Sequence, residues 1–367
     1  MTQLLRIGID ARELAGEPTG VGRYLGELLA RWMVRSDAAT RRFVLYAPEP
    51  LAPVFQGPAV EQRIVGEGGG RGTWWEQTHL RRTAIGDRLD AFFAPAYTAP
   101  LALRVPLAVT IHDISFVAHP EWFRPREGLR RRWLTRRGAH RAAVVFTDSE
   151  FSRREIEVRL DVNPSRIVVI PPGVTNRRTA GTRPGVREPM VLFVGTLFNR
   201  RRLPDLIESF ALATRDIASA RLVIVGGDRT WPAEDLAAVA SRHGVRERVE
   251  LRRYAPDSEL NPLYARASAF AFLSEYEGFG MTPLEAMTAG VPSIVLDTPV
   301  AREVYGAAAI FVKRGDIAAT AAAIRRLLVD PSSAEPVLAA APDVLGRYSW
   351  DAAADRTLEH LERIAGR

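Results

Sequence analysis

Residues 277–290 read Glu277-Gly278-Phe279-Gly280-Met281-Thr282-Pro283-Leu284-Glu285-Ala286-Met287-Thr288-Ala289-Gly290. An apolar run at 267–273 precedes them and a strand-like 292–296 follows, so the pattern predicts a strand, a glycine loop and a short helix. Thr282 fits an N-cap, Pro283 the first helical position, where no amide hydrogen is needed, and Gly290 the helix end. Gly278 and Gly280 let the backbone approach a ligand, and the free amides of the helix start favour an anionic or hydroxyl-rich one. Two acids, Glu277 and Glu285, bracket the loop eight residues apart. On local chemistry alone Glu285 fits a capping-box carboxylate as well as a ligand contact, and Glu277 fits a solvated loop acid.

The rest of the chain sets the scale. Its 367 residues suffice for two ordinary domains, and 47% apolar with 25% charged residues is the balance of a soluble globular protein. No apolar run approaches a membrane span and the first residues have no signal-peptide layout, so a cytoplasmic protein is expected. The absence of cysteine excludes disulfides, thiolate metal sites and cysteine nucleophiles. Net charge is +7, and Lys313 is the only lysine. Arginines concentrate at 124, 126, 130, 131, 132, 136, 137 and 141, interleaved with Leu129, Trp133 and Leu134. On a helix these form either a solvated arginine face beside a core stripe or a basic face suited to the inner surface of an anionic membrane. Arginine spread elsewhere along the chain is poor grounds for a nucleic-acid partner, and none is expected.

Apolar strand candidates at 4–10, 43–46, 91–94, 107–111, 144–147 and 166–170 alternate with helical patterns, and a second series runs through 190–194, 221–225, 249–251, 267–273 and 292–296. This is the pattern of two Rossmann-like, doubly wound α/β domains. We place the first at 1–173, a linker rich in Arg, Thr, Gly and Pro at 174–188, the second at 189–349, and a terminal helix at 350–367. Gly20 and Gly22 open an amphipathic helix after the first strand, which suits phosphate or sugar contact; a dinucleotide fingerprint fails at Leu25, where its third glycine would stand. His112 and Asp113 follow the strand 107–111, at the end of a parallel strand where ligands bind, although such a pair is as readily structural. Asp148 and Ser149 read as the cap of a helix from Glu150. Arg200, Arg201 and Arg202 follow the strand 190–194 and, taken alone, read as a solvated loop. No D-x-D, P-loop, nucleophile elbow or histidine cluster occurs, so neither a metal nor a cofactor is expected.

The central stretch resembles the E-x7-E signature of the retaining GT-B glycosyltransferases of family 4, close to E-G-F-G-[LM]-x-x-L-E-A-M-x-x-G. The resemblance implies two Rossmann-like domains facing across a cleft, with the last helix returning to the first domain. It implies transfer of a hexose from a nucleoside diphosphate sugar to a saccharide or lipid-linked acceptor in cell-envelope or exopolysaccharide synthesis, mannose from a GDP donor being the family-level expectation. It assigns Glu277 to the donor sugar and Glu285 to the ribose, with Gly278, Phe279, Gly280 and Met281 at the donor. Thr19 to Tyr24 is similar to the family's T-G-[IV]-G-R-Y, which places Gly20 and Gly22 at the donor phosphates. His112-Asp113-Ile114-Ser115-Phe116 with Pro120 to Phe123 is similar to H-D-[LIV]-S-F…P-E-W-F, implying that His112 positions the sugar with Asp113 as its orienting neighbour. Residues 195–203 match G-T-x-x-P-R-K-N-[LI] with Arg200 and Arg201 as the diphosphate cations, but Asn199 replaces proline and Arg202 replaces asparagine. Tyr254 falls in the segment that helps form the nucleobase pocket. A nucleotide-sugar epimerase or glycoside phosphorylase on the same fold, and a non-enzymatic basic protein binding membrane or nucleic acid, are the alternatives.

Overall fold

The computed structural model describes residues 4–16, 20–66, 70–178 and 187–366, so Thr19 and residues 179–186 of the expected linker lie outside the described residues. The chain divides into two compact units: Met1–Ala118, Arg126–Gly173 and Ser349–Arg367 form one, His119–Pro125 and Val174–Tyr348 the other.

The first unit holds a seven-stranded sheet of β1 (Leu5–Asp10), β2 (Arg41–Ala47), β3 (Val60–Ile64), β4 (Ala91–Ala94), β5 (Leu107–Thr110), β6 (Val144–Thr147) and β7 (Ile167–Val169), in the order β3-β2-β1-β4-β5-β6-β7. Every pairing is parallel. The inner strands are buried along their length, Ala-Phe-Phe-Ala in β4 being apolar throughout and Val-Val-Phe-Thr in β6 apolar up to Thr147, as two covered faces require. Two edge elements escape the sequence pattern: β3, Val-Glu-Gln-Arg-Ile, is half-buried, so its polar centre carries no apolar signal. The helix Trp350–Ile364 packs on the helix Gly20–Val34, with Trp32 Nε1 donating to the Ala354 carbonyl at 2.9 Å.

The second unit holds a six-stranded parallel sheet of β8 (Glu188–Val194), β9 (Arg221–Val225), β10 (Val249–Arg252), β11 (Ala267–Phe272), β12 (Ser293–Leu296) and β13 (Ala309–Val312), in the order β10-β9-β8-β11-β12-β13. β13 is the second strand not anticipated, a short half-buried edge. In each sheet the winding reverses once, between β1 and β4 and between β8 and β11. Loops leaving the carboxyl ends of strands at such a reversal diverge to opposite faces and leave a crevice, the usual ligand position in an α/β sheet.

Candidate functional site

β8 and β11 are neighbours at the reversal, so the loops after them lie side by side, and the Glu275 amide joins them by donating to the Arg200 carbonyl at 2.9 Å. Asn199–Arg201 form one 3-10 turn that carries both arginines into buried positions. The Arg201 guanidinium lies over the Phe272 ring at 4.5 Å and that of Arg200 over Phe198 at 4.7 Å. Both reach one carboxylate. Arg201 Nη1 is ion-paired to Glu277 Oε1, Arg200 Nε stands 3.7 Å from the same oxygen, and the Ser274 hydroxyl donates to it as well. Arg201 Nη1 also donates to Ser274 Oγ at 3.2 Å. Glu277 is therefore not a solvated loop acid: two guanidinium groups converge on its carboxylate in a largely dry site.

The two departures in the arginine loop have local reasons. Asn199 bridges the loop to the next connection, its amide donating to the Pro232 carbonyl at 2.8 Å and to Glu234 Oε1 at 2.9 Å. Arg202 has a φ of 52°, the left-handed region that asparagine tolerates and arginine does not, and is held there by Asp205 at 2.9 Å and Glu275 at 3.2 Å.

The glycine loop and its helix correct the local expectation. The helix is Met281–Thr288 and its N-cap is Gly280, at a φ of 90°; Thr282 lies inside the first turn with a buried hydroxyl that has no hydrogen-bond partner among the described residues. A Cβ at Gly280 would fall 2.1 Å from Tyr305 Oη, and that hydroxyl donates to the Gly280 carbonyl at 2.9 Å. Both the backbone angle and the tyrosine demand glycine here. The helix ends as expected, at Gly290, with the Gly290 amide on the Met287 carbonyl and the Val291 amide on the Ala286 carbonyl, each at 2.9 Å.

Glu285 is no capping-box residue. Only 2% exposed, it accepts through Oε2 from Arg177 Nε at 3.0 Å and from the Tyr264 hydroxyl at 3.4 Å. Arg177 is equally buried, donates to Asp257 Oδ1 at 2.6 Å, and keeps Nη2 without a partner among the described residues. Sequence reasoning missed Arg177, because it stands in the stretch read as linker and no local periodicity marks it.

Phe279 packs edge-on against Tyr348 at 4.9 Å, Gly278 is buried and Met281 half-buried. A narrow pocket beside Glu277 is lined by Phe272, Ser274, Phe279, Thr298 and Tyr305. Tyr254 stands exposed in the loop after β10. His119, stacked on Trp122 at 4.0 Å, meets the ring of Tyr276 edge-on at 5.5 Å.

In the first unit, His112 follows β5 and is half-buried, and its orienting partner is Asp148, not Asp113. Nδ1 lies 2.8 Å from Asp148 Oδ2 and Nε2 lies 3.0 Å from the Pro95 carbonyl. Asp113 turns away because its Oδ1 takes the Ser115 amide and hydroxyl at 2.8 and 2.6 Å, while Oδ2 accepts from the Tyr97 hydroxyl at 3.2 Å. Both acceptors around His112 lack hydrogens, so only the doubly protonated imidazolium satisfies both contacts. Burial opposes that charge, but the Asp148 carboxylate and the Pro95 carbonyl outweigh it, and the His112 pKa is raised. Asp148 sits at the end of β6 as His112 does at the end of β5, a strand-end position that could have identified it; Ser149 alone caps the helix Glu150–Leu160. Gly20 and Gly22 open the helix Gly20–Val34, and it is Tyr24 of that helix that meets the His112 ring edge-on at 5.0 Å. Among the described residues no group of three His, Asp or Glu side chains is arranged to hold a metal ion, and no helix is long and apolar enough to cross a membrane.

Comparison with known proteins places this geometry. Residues 18–178 match the family model described as Glycosyltransferase Family 4, and residues 179–342 match that of Glycosyl transferases group 1. The chain is 27% identical to O-antigen chain mannosyltransferase B of Escherichia coli, over 93% of this chain and 95% of that protein. It is 29% identical to a GDP-mannose:cellobiosyl-diphosphopolyprenol alpha-mannosyltransferase of Komagataeibacter xylinus, over 61% of this chain and 56% of that one. The structure resembles sucrose-phosphate synthase of Thermosynechococcus elongatus with a TM-score of 0.77 and 18% identity, covering 98% and 99% of the two chains, which establishes the GT-B fold.

Proposed function

Because the chain belongs to the group 1 glycosyltransferases of family 4, we propose that it moves mannose from GDP-mannose to a hydroxyl of a saccharide or lipid-linked acceptor, with retention of anomeric configuration and without a metal ion. The observation that carries this reading is the convergence of two buried arginines on Glu277. A diphosphate bound there takes over the two guanidinium groups and frees the Glu277 carboxylate to accept hydrogen bonds from the sugar hydroxyls. As the bond from the anomeric carbon to the diphosphate breaks, its electron pair passes to an oxygen held by Arg200 and Arg201. The acceptor oxygen bonds to the anomeric carbon from the same face and gives its proton to the departing diphosphate. Glu285, oriented by Arg177, accepts from the ribose hydroxyls. His112, as an imidazolium, contributes positive charge and position at the sugar. Mannose as the sugar and a cell-envelope or exopolysaccharide glycan as destination are supported by the mannosyltransferases to which the chain is similar.

Thermal unfolding with GDP, UDP, ADP and TDP, free and as their common sugar conjugates, tests the donor. A ligand at a hundred times its dissociation constant stabilises by about 2.7 kcal/mol, and we expect this of GDP and GDP-mannose in the wild type and of neither in Glu285→Ala. Proton NMR of the product then reports the anomeric configuration, and an undiminished rate in EDTA reports metal independence. Conversion of the nucleotide sugar with no acceptor present would replace the transferase by an epimerase.

A further inference from the structure

On the transferase reading, which gives Arg200 and Arg201 the donor diphosphate, we infer that Asn199 is a positioning residue for both: it pins the arginine turn to the loop after β9. A proline would fit this backbone. Phe198 is extended, with φ −124° and ψ 153°, as a residue before proline is, and Asn199 opens a helical turn, where a missing amide hydrogen is tolerated. What the asparagine adds is its side chain. The carboxamide oxygen accepts from the Trp231 amide at 2.6 Å, and the nitrogen donates to the Pro232 carbonyl at 2.8 Å and to Glu234 Oε1 at 2.9 Å. Both amide hydrogens and the oxygen are thus engaged with one short stretch of the neighbouring loop.

These contacts extend a pairing that the backbone begins. Leu197 bridges to Asp228 in parallel fashion, its amide donating to the Gly227 carbonyl and its carbonyl accepting from the Arg229 amide, each at 2.9 Å. Two residues further on, the Asn199 side chain takes over. The loop it grips is braced internally, since Asp228 Oδ1 accepts from the Thr230 amide and hydroxyl, each at 2.8 Å, and the Thr230 hydroxyl accepts from the Glu234 amide at 3.1 Å. The arginine turn is therefore held on two flanks, by Asn199 towards β9 and by the Glu275 amide on the Arg200 carbonyl towards β11. When a diphosphate replaces Glu277 on the guanidinium groups, the Asn199 contacts remain and still hold the turn.

Glu234 is placed for this contact rather than for stability. Its Oε2 is buried with no partner among the described residues, so the Asn199 amide is the donor that the carboxylate has. Burial raises the Glu234 pKa, with Asp228 and Asp205 adding to it and the Asn199 bond and Arg202 opposing.

Calorimetric titration of the full chain with inorganic pyrophosphate and with GDP reads the turn without an acceptor. Asn199→Ala should bind both about tenfold more weakly, because misplaced cations lose charge-assisted contacts to the diphosphate. In an Arg201→Met background the same substitution should cost less, since one of the two cations it positions is gone, whereas a general loosening of the fold would add in full. Asn199→Asp alone sets two carboxylates against each other and should bind more weakly than Asn199→Ala. Adding Glu234→Gln restores one amide–carboxylate bond with donor and acceptor exchanged, and should recover much of that loss. If the alanine variant does not fold, Asn199→Ser, which keeps one donor and one acceptor, should show the same loss in smaller measure. Wild-type affinity in Asn199→Ala, full additivity with Arg201→Met, or an exchange no better than Asn199→Asp would overturn the role of Asn199 and leave the transferase reading standing. A wild type that binds neither pyrophosphate nor GDP would bring down both.

Discussion

His112 past the end of β5 and Arg201 past the end of β8 both follow the carboxyl ends of parallel strands in two sheets wound alike, yet their charge is fixed in different ways. In the second unit the cations are arginines: Arg200 and Arg201 at Glu277, Arg177 at Glu285 and Asp257. Guanidinium does not lose its proton in any ordinary medium, so this charge is constant with pH. In the first unit the cation is an imidazole, charged through Asp148 and the Pro95 carbonyl and neutral when pH rises far enough. The same strand-end architecture thus carries a permanent electrostatic site in one unit and a conditional one in the other.

The comparison breaks most readily at Arg177. Arg177→Met leaves the Glu285 carboxylate buried beside an apolar side chain, and we expect about 3–5 kcal/mol of lost stability by urea unfolding, largely restored when Glu285→Gln is added. A loss well below this would mean that Glu285 finds water or another partner. Next comes Arg201→Met: under the proposed transfer it removes a charge from the departing diphosphate and should lower kcat about 10²–10³-fold, by the same factor at every pH. Arg201→Lys should recover only part, since an ammonium cannot lie over Phe272 while also spanning Glu277 and Ser274. A rise in KM with kcat unchanged would reduce Arg201 to ground-state binding.

How much of this was legible in the sequence depends on how local each cause is. The continuous strands and the glycine stop at Gly290 act over a few residues, and the sequence carried them. The start of the same helix did not read correctly. Thr282 has the better capping chemistry, but Tyr305 approaches so closely at Gly280 that the backbone takes a left-handed turn there and the helix begins one residue beyond. Partner choice was the least legible property. Asp113 is adjacent to His112, yet the Ser115 amide claims its carboxylate, and a residue 36 positions away supplies the partner instead. Arg177 reaches Glu285 across 108 positions. Such pairs follow from strand order and carry no sequence periodicity. The motif resemblance named Glu277, Arg200 and Arg201, and the structure adds that they form one cluster.

The conditional side of the comparison is sharpened by pH. His112 has a raised pKa in the folded chain, so its contribution to stability is fully present below the unfolded value of about 6.5 and disappears as pH rises through the folded value. Asp148→Asn removes the largest favourable cause, and hydrogen bonds to charged groups are worth about 1.5–3 kcal/mol. The melting-temperature gap between wild type and Asp148→Asn should therefore be widest under mildly acidic conditions and close in alkali. The alkaline limb of the kcat/KM profile should move to lower pH in the variant, whereas Arg201→Met leaves that limb in place. A gap independent of pH would show that His112 is neutral throughout and that the two units do not differ as argued.

The smallest effect is expected at Arg202, and it separates fold strain from charge. Its left-handed backbone costs a residue with a Cβ about 1–2 kcal/mol, of which asparagine recovers part through local hydrogen bonding. Its pairs with Asp205 and Glu275 are partly exposed, where such pairs contribute about 0–1 kcal/mol. Arg202→Asn should then leave stability unchanged or raise it by up to about 1 kcal/mol, while kcat stays within twofold, because Arg202 reaches Glu275 and not Glu277. If instead the substitution lowers kcat as Arg201→Met does, the third arginine belongs to the permanent charge of the second unit and acts with Arg200 and Arg201.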